Sequence, residues 1–273
     1  MEWEDWDGDR SESIVVDRTE NWERTNFQLR ISDNLRDISW DEVHEQVKYL
    51  LTREGPEYLS SEYHQNRDRI HFVTASMVAV IAMGRLQFGS KCRTDTHMLQ
   101  MILGLREREP PNESTEHGHR MEAFIASMYA ERTGEVLFDH FPAIQHPLIP
   151  WMACIPDRIT ASGRNVEIKA PYYKKVVPEH YTNEDAVKRH VPYYWHQLQM
   201  QMFVMNLQES DFVVCGLPPN KNHPTMDEAV YCCCRVPYDP MWWPSVRGDI
   251  LTFAARVFSA RKEVPPPIPT CMF

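Results

Sequence analysis

Residues 151–170 leave the chain little choice of local structure. Two short runs rich in apolar residues flank Thr160-Ala161-Ser162-Gly163-Arg164-Asn165. Those six residues are turn formers, so the stretch predicts a β-hairpin. On the returning strand, expected over 166–171, successive side chains point to opposite sides. Val166 and Ile168 therefore share one face, and Glu167 and Lys169 share the other. A carboxylate on an otherwise apolar strand must be paired, exposed or bound to a metal. The turn is short enough to bring Asp157, near the end of the first strand, beside Glu167. Two carboxylates ~4 Å apart repel by about 1 kcal/mol in water and several times more near a protein surface. Positive charge is expected between them, either Lys169 or a divalent cation.

The bland reading of this pattern is a surface hairpin with an ordinary Glu–Lys ladder. The chemical reading is phosphodiester hydrolysis. Carboxylate oxygens favour Mg2+ or Mn2+ over zinc. The ion would polarise a phosphate and acidify a water. Lys169 would orient that water or offset charge in the transition state.

The remaining segments predict an α/β arrangement with a mixed sheet. Helices are expected near 39–54, over 74–83 with Thr74 as cap, over 95–105, over 116–133, from Pro192 to about 206, and over 244–261. In the fourth of these, Met121, Phe124, Ile125, Met128 and Tyr129 form an apolar stripe, and Gly134 ends it. Short strands are expected at 136–139, 143–149, 151–159, 211–215 and 230–236. Residues 84–95 read as a basic loop in which Lys91 and Arg93 could meet phosphates.

Charge divides the chain. Residues 1–62 hold 17 Asp/Glu against 7 Lys/Arg, which accounts for the whole net charge of -10. We read 1–62 as an acidic, partly helical extension, 63–262 as the functional domain and 263–273 as a Pro-rich tail. The body is neutral but can still present a basic groove, because local potential governs binding of a polyanion. Hydrophobic residues at 42% exclude disorder throughout. No run approaches the ~18 apolar residues of a membrane span. The acidic start lacks the basic, then apolar, pattern of a secretory signal, so an intracellular location is expected, nucleus or cytoplasm unresolved. Seven cysteines without a CxxC read as reduced thiols. Cys232-Cys233-Cys234 reads as small buried residues. His117 and His119 lack further ligands at zinc spacing.

Five blocks in order carry a resemblance. Ile155-Pro156-Asp157 followed by Asn165-Val166-Glu167-Ile168-Lys169 resembles the PD-(D/E)xK nuclease signature. Arg69-Ile70-His71-Phe72-Val73-Thr74-Ala75-Ser76, Gly118-His119-Arg120-Met121-Glu122 and Tyr194-Trp195-His196-Gln197-Leu198-Gln199 are similar to blocks of its lambda-exonuclease, or YqaJ-type viral recombinase, branch. Together they span about residues 69–205. The resemblance implies a restriction-endonuclease-like α/β core with a central mixed β-sheet flanked by helices. It implies a metal-dependent DNA exonuclease that resects duplex ends from 5′ to 3′, with Mg2+ or Mn2+ as cofactor. Asp157, Glu167 and the main-chain carbonyl of Ile168 would be metal ligands. Lys169 would be the catalytic lysine, Glu122 an acidic helper, and Gln197 a group that steadies the lysine or the attacking water. Arg69 and Ser76 would contact the 5′-terminal phosphate. Tyr172-Tyr173-Lys174-Lys175 could line a strand-separating channel. The resemblance leaves room for a single-strand annealing protein as partner and for a homo-oligomer; no membrane is implied. A nicking or structure-specific endonuclease and a silent DNA-end adaptor stay open as alternatives. The chain departs from the family where Ile155 and Arg158 flank the Pro-Asp pair in place of Ser and Gly, and at Ala170, where Cys is frequent. Arg158 is expected to point away from Asp157.

Overall fold

The computed structural model describes residues 73–88, 91–103, 112–172, 175–216 and 229–261. The acidic extension, the expected helix near 39–54, Arg69, Tyr173, Lys174 and the Pro-rich tail lie outside the described residues. Among those described, no helix is long and apolar enough to cross a membrane.

The backbone runs β1 (Val73–Thr74), α1 (Ala75–Ala82), β2 (Arg85–Phe88), β3 (Lys91–Thr94), α2 (Asp95–Ile102), α3 (Glu113–Thr133), β4 (Leu137–Phe138), β5 (Ile144–Gln145), β6 (Met152–Cys154), β7 (Arg158–Thr160) and β8 (Asn165–Lys169). A 3-10 turn (Pro178–Tyr181), α4 (Glu184–His190), α5 (Pro192–Met205), β9 (Glu209–Gly216), β10 (Val230–Pro237) and α6 (Trp242–Arg261) complete it. The main sheet has the order β10-β9-β8-β7-β4. Only β8 and β9 pair in parallel, with Glu167 opposite Phe212; the other pairs are antiparallel. A parallel pair needs a long crossover, and α4 and α5 lie on it. This is the mixed, helix-flanked α/β fold of the restriction-endonuclease-like class. A second sheet, β1-β6-β5, delivers α1 to the same side as α5.

Strand alternation sets the two layers. Val166, Ile168, Val213 and Cys215 pack against Met121, Ile125, Met128 and Tyr129 of α3. Phe212 and Val214 pack on the opposite face with Leu198, Met202 and Trp242 of α5 and α6. Helix α3 begins where the Asn112 side chain accepts a hydrogen bond from the Thr115 N–H at 3.0 Å, with Glu113 and Glu116 in its first turn. It ends at Gly134, whose φ of 73° is left-handed. Helix α5 starts on Pro192, which has no N–H to lose there.

Four expectations are corrected. The strand expected over 151–159 is two strands, β6 and β7, in different sheets. Pro156 has no N–H to extend the ladder, and the chain bends at 155–157. The hairpin is therefore β7–β8 alone, with Arg158 opposite Val166. The loop expected over 84–95 is a hairpin, β2 paired with β3 from Arg85↔Thr94 to Phe88↔Lys91. Its residues alternate polar and apolar, and Leu86 is buried, a period of two that the basic charge masked. Thr74 stands at the N-cap of α1 but its side chain caps nothing; its Oγ1 lies 3.3 Å from Ser76 Oγ. Cys232 and Cys234 are buried as expected, but Cys233 is exposed, because neighbours on a strand face opposite ways.

Candidate active site

The hairpin brings Asp157 and Glu167 together in an unusual way. Asp157 sits in the bend just before β7, and its Oδ2 accepts the main-chain N–H of Ile168 at 2.8 Å. Its side chain thus stands in for the main-chain carbonyl that would accept this N–H if the ladder ran on. N–H and C=O of one residue face the same neighbour in an antiparallel pair. Carried on, the β7–β8 register sets Ile168 opposite Pro156, which has no N–H for the Ile168 carbonyl. A donor oxygen is left beside the two acids.

Glu167 is on the central strand and 1% exposed. A charge there must be compensated. Lys169, two residues on and on the same face, donates to its Oε1. Gln197 Nε2 donates to Oε1 at 2.5 Å and Gln201 Nε2 to Oε2 at 2.6 Å. Gln201 Oε1 in turn accepts from Asn165 Nδ2 at 3.0 Å, and Asn165 Nδ2 reaches Ser210 Oγ at 2.7 Å. The ammonium of Lys169 also lies 5.5 Å from the centre of the Tyr194 ring.

The electrostatics are those of a site short of positive charge. Burial raises the Asp157 carboxyl above its ordinary range; Lys169 and the Ile168 N–H oppose this. Burial and the charge of Asp157 push Glu167 up to about 7. Burial alone would lower Lys169, but Glu167 and Asp157 raise it. One ammonium between two carboxylates leaves a net negative charge in a buried place. The donors are hard oxygens, so the residues fit a hard divalent cation. Among the described residues, no group of three His, Cys, Asp or Glu side chains could hold a metal. The shell here would combine two carboxylates with the Ile168 carbonyl, and water or substrate oxygens would complete it.

The expected residues divide as follows. Asp157, Glu167, Ile168, Lys169 and Gln197 meet at one point. Glu122, on α3, is close enough to act on the charge of Asp157, but its Oε1 is held by Arg158 NH1 at 2.6 Å. Arg158 therefore does not point away, as the sequence suggested; it also donates to the main-chain oxygen of Asp157. Ser76 is exposed at the start of α1. With Thr74, Ala143, Ile155 and Gln197 it lines a cavity of about 90 Å³. Arg69 lies outside the described residues, as do Tyr173 and Lys174.

Gln201 carries more than the sequence indicated. Its spacing of four from Gln197 places both on one helix face, which also describes a solvated face. Full burial distinguishes the two. Gln201→Leu should leave a Glu167 oxygen and the Asn165 amide without their partner, at ~1–3 kcal/mol, and lower activity ~10–100-fold as a lost supporting contact does. Thermal melting and nucleotide release measured on the same sample check both.

Fold and site together suit a phosphodiester-cleaving nuclease. The particular family comes from comparison. Residues 62–208, more than half of the chain, match the model of the YqaJ-like viral recombinase domain. The chain belongs to that family, and is a DNA exonuclease of recombination. No curated protein matches it. Its fold resembles an alkaline exonuclease from Laribacter hongkongensis, LHK-Exo, in two structures. The complex with dAMP is 23% identical, with a TM-score of 0.53, over 74% of this chain and 95% of that one. The second is 22% identical, with a TM-score of 0.54 and the same coverage. A phage related exonuclease from Haemophilus somnus 129PT is 13% identical, with a TM-score of 0.51, over 72% of this chain and 99% of that one.

Proposed function

We propose that the chain resects duplex DNA from the 5′ end and leaves a single strand for annealing. The observation that carries this reading is the meeting of Asp157, Glu167, Lys169 and the Ile168 main chain at the β7–β8 hairpin. The nucleases of this family depend on a divalent metal; Mg2+ or Mn2+ suits the oxygen donors here. Held by Asp157, Glu167 and the Ile168 carbonyl, the ion would draw charge from the scissile phosphate and acidify the attacking water. Lys169, fixed by Glu167, offsets charge that grows on the phosphate oxygens as water attacks. Gln197 and Gln201 hold Glu167 in one orientation, so that its carboxylate does not turn during turnover. Glu122 stands as a further acid beside Asp157.

Support for the 5′ direction is the cavity between Ser76 and Gln197. With no side chain capping α1, its first N–H groups are open to an anion. Ser76 adds a hydroxyl. A terminal 5′-phosphate seated there would set the scissile bond one nucleotide into the strand, at the paired acids. The substrate is then a duplex end, with a single-strand annealing protein as the natural recipient of the product.

The test compares linear duplex labelled at its 5′ or its 3′ terminus with closed circular duplex, in Mg2+. The reading expects mononucleotides from the 5′ terminus and none from circles. Arg69→Ala and Ser76→Ala should each slow degradation of 5′-phosphorylated ends and matter less for 5′-hydroxyl ends. Equal cleavage of circles and linear duplex would make the chain an endonuclease on the same fold. Binding of ends without any cleavage would make it an adaptor.

A further inference from the structure

Arg158 is a cation beside the site that the chemistry above does not use. It opens β7, directly after Asp157, and its side chain is only 11% exposed. Its NH1 lies 2.6 Å from Glu122 Oε1 and also donates to the main-chain oxygen of Asp157. Its NH2 lies 3.9 Å from Asp139 Oδ2. The guanidinium is thus anchored on three sides, between the α3 acid and the first metal-binding acid.

We infer that Arg158 takes the place that a second divalent cation would need, so that the site holds one metal ion per chain. This rests on the reading of Asp157 and Glu167 as ligands. A second ion would have to bridge Asp157 and Glu122, the acids left once Glu167 and the Ile168 carbonyl serve the first ion. Asp157 Oδ2 already accepts the Ile168 N–H, and Glu122 Oε1 already accepts Arg158. Any ion between Asp157 and Glu122 would meet the fixed positive charge of a guanidinium that cannot lose its proton. Displacing the guanidinium would leave a largely buried cation without its partner, a costly state. Charge agrees. Asp157, Glu167, Glu122 and Asp139 against Lys169 and Arg158 leave two units of negative charge, which a single divalent ion balances. Arg158 is a positioning residue in this account: it fixes Glu122 as an ion pair and sets the number of ions.

The experiment titrates Mn2+ into the full-length, DNA-free chain at pH 8, following free Mn2+ by electron paramagnetic resonance. Ions are counted as those lost in Asp157→Asn. The wild type should show one. Glu122→Gln should keep that one with an affinity within about threefold, because Glu122 is not its ligand. Arg158→Gly and Arg158→Met, confirmed folded by circular dichroism, should gain a second. Two ions in the wild type, loss of the single ion in Glu122→Gln, or folded Arg158 variants that still bind one would each overturn the inference. If Arg158 variants do not fold, the wild-type count and Glu122→Gln decide it. A wild type with no ion lost in Asp157→Asn overturns the reading of the site itself, and this inference with it.

Discussion

Asp157→Asn and Glu167→Gln each leave a folded chain whose Mg2+-dependent release of nucleotides falls by on the order of 10³ or more. The size follows from the donor set, since each amide keeps an oxygen but loses the charge, and only one other carboxylate remains to hold a divalent cation. The fold should survive, and the metal-free wild type should lose stability as pH rises. Burial and Asp157 push Glu167 up to about 7 from an ordinary 4.5. An acid raised in this way binds its proton more tightly folded than unfolded. Its contribution to stability is full below about pH 4.5 and is lost as pH rises through about 7, a difference of about 3 kcal/mol. Urea unfolding in chelator at pH 5 and pH 8 should show that loss in the wild type. Glu167→Gln should abolish it, and Mg2+ should suppress it. Full residual activity in either variant would remove the residue from the mechanism.

Asp211→Ala should destabilise the chain by ~3 kcal/mol, a fall of roughly 6–12 °C in Tm for a chain of this size. Asp211 is 2% exposed on β9. It accepts the Tyr129 hydroxyl at 2.6 Å, Arg164 Nε at 3.2 Å and Arg235 Nε at 2.9 Å. One carboxylate therefore ties α3, the β7–β8 turn and β10 to β9. Arg235, Tyr129 and Arg164 hold its carboxyl below the usual range against the opposing effect of burial. Removal strands the buried Tyr129 hydroxyl, leaves Arg164 with Glu135 as its one remaining acid, and leaves the half-exposed Arg235 with Glu209. Asp211→Asn keeps an acceptor for Tyr129 and loses the charge, so it should cost less. Calorimetric melting of both variants checks the order; a fall under ~1 kcal/mol for Asp211→Ala would show that the arginines find other partners.

Much of this site is local, and that is why it is legible from the sequence. Glu167 and Lys169 share a face by the geometry of any strand. The Thr160–Asn165 turn joins them to Asp157 within twelve residues. Helix α3 announces itself by its stripe and Gly134, though its start at Glu113, behind the Asn112 cap, lies three residues before the expected one; helix α5 announces itself by Pro192. The less legible features depend on register between distant segments. Gln201 reaches Glu167 across 34 positions, and Asp211 meets Tyr129 across 82. In β9 Asp211 reads only as an odd acid before Phe212-Val213-Val214. The break at Pro156 moves Asp157 off the strand, and no periodicity signals that the carboxylate itself would take the next ladder position. Arg158 turns towards Glu122 because α3 crosses that face of the sheet, and the packing of α3 is a property of the whole fold. The β2–β3 hairpin was hidden by its charge, although its alternation was present.

One observation decides whether this hairpin is a metal centre. Crystals soaked in Mn2+ without DNA, measured at the manganese absorption edge, should show an anomalous peak at about 2.1 Å from an oxygen of Asp157, an oxygen of Glu167 and the carbonyl of Ile168. A peak held instead by Glu122, or no peak at saturating Mn2+ with Glu167 still closed on Lys169 and Asp157 on the Ile168 N–H, would contradict the assignment of these residues to catalysis.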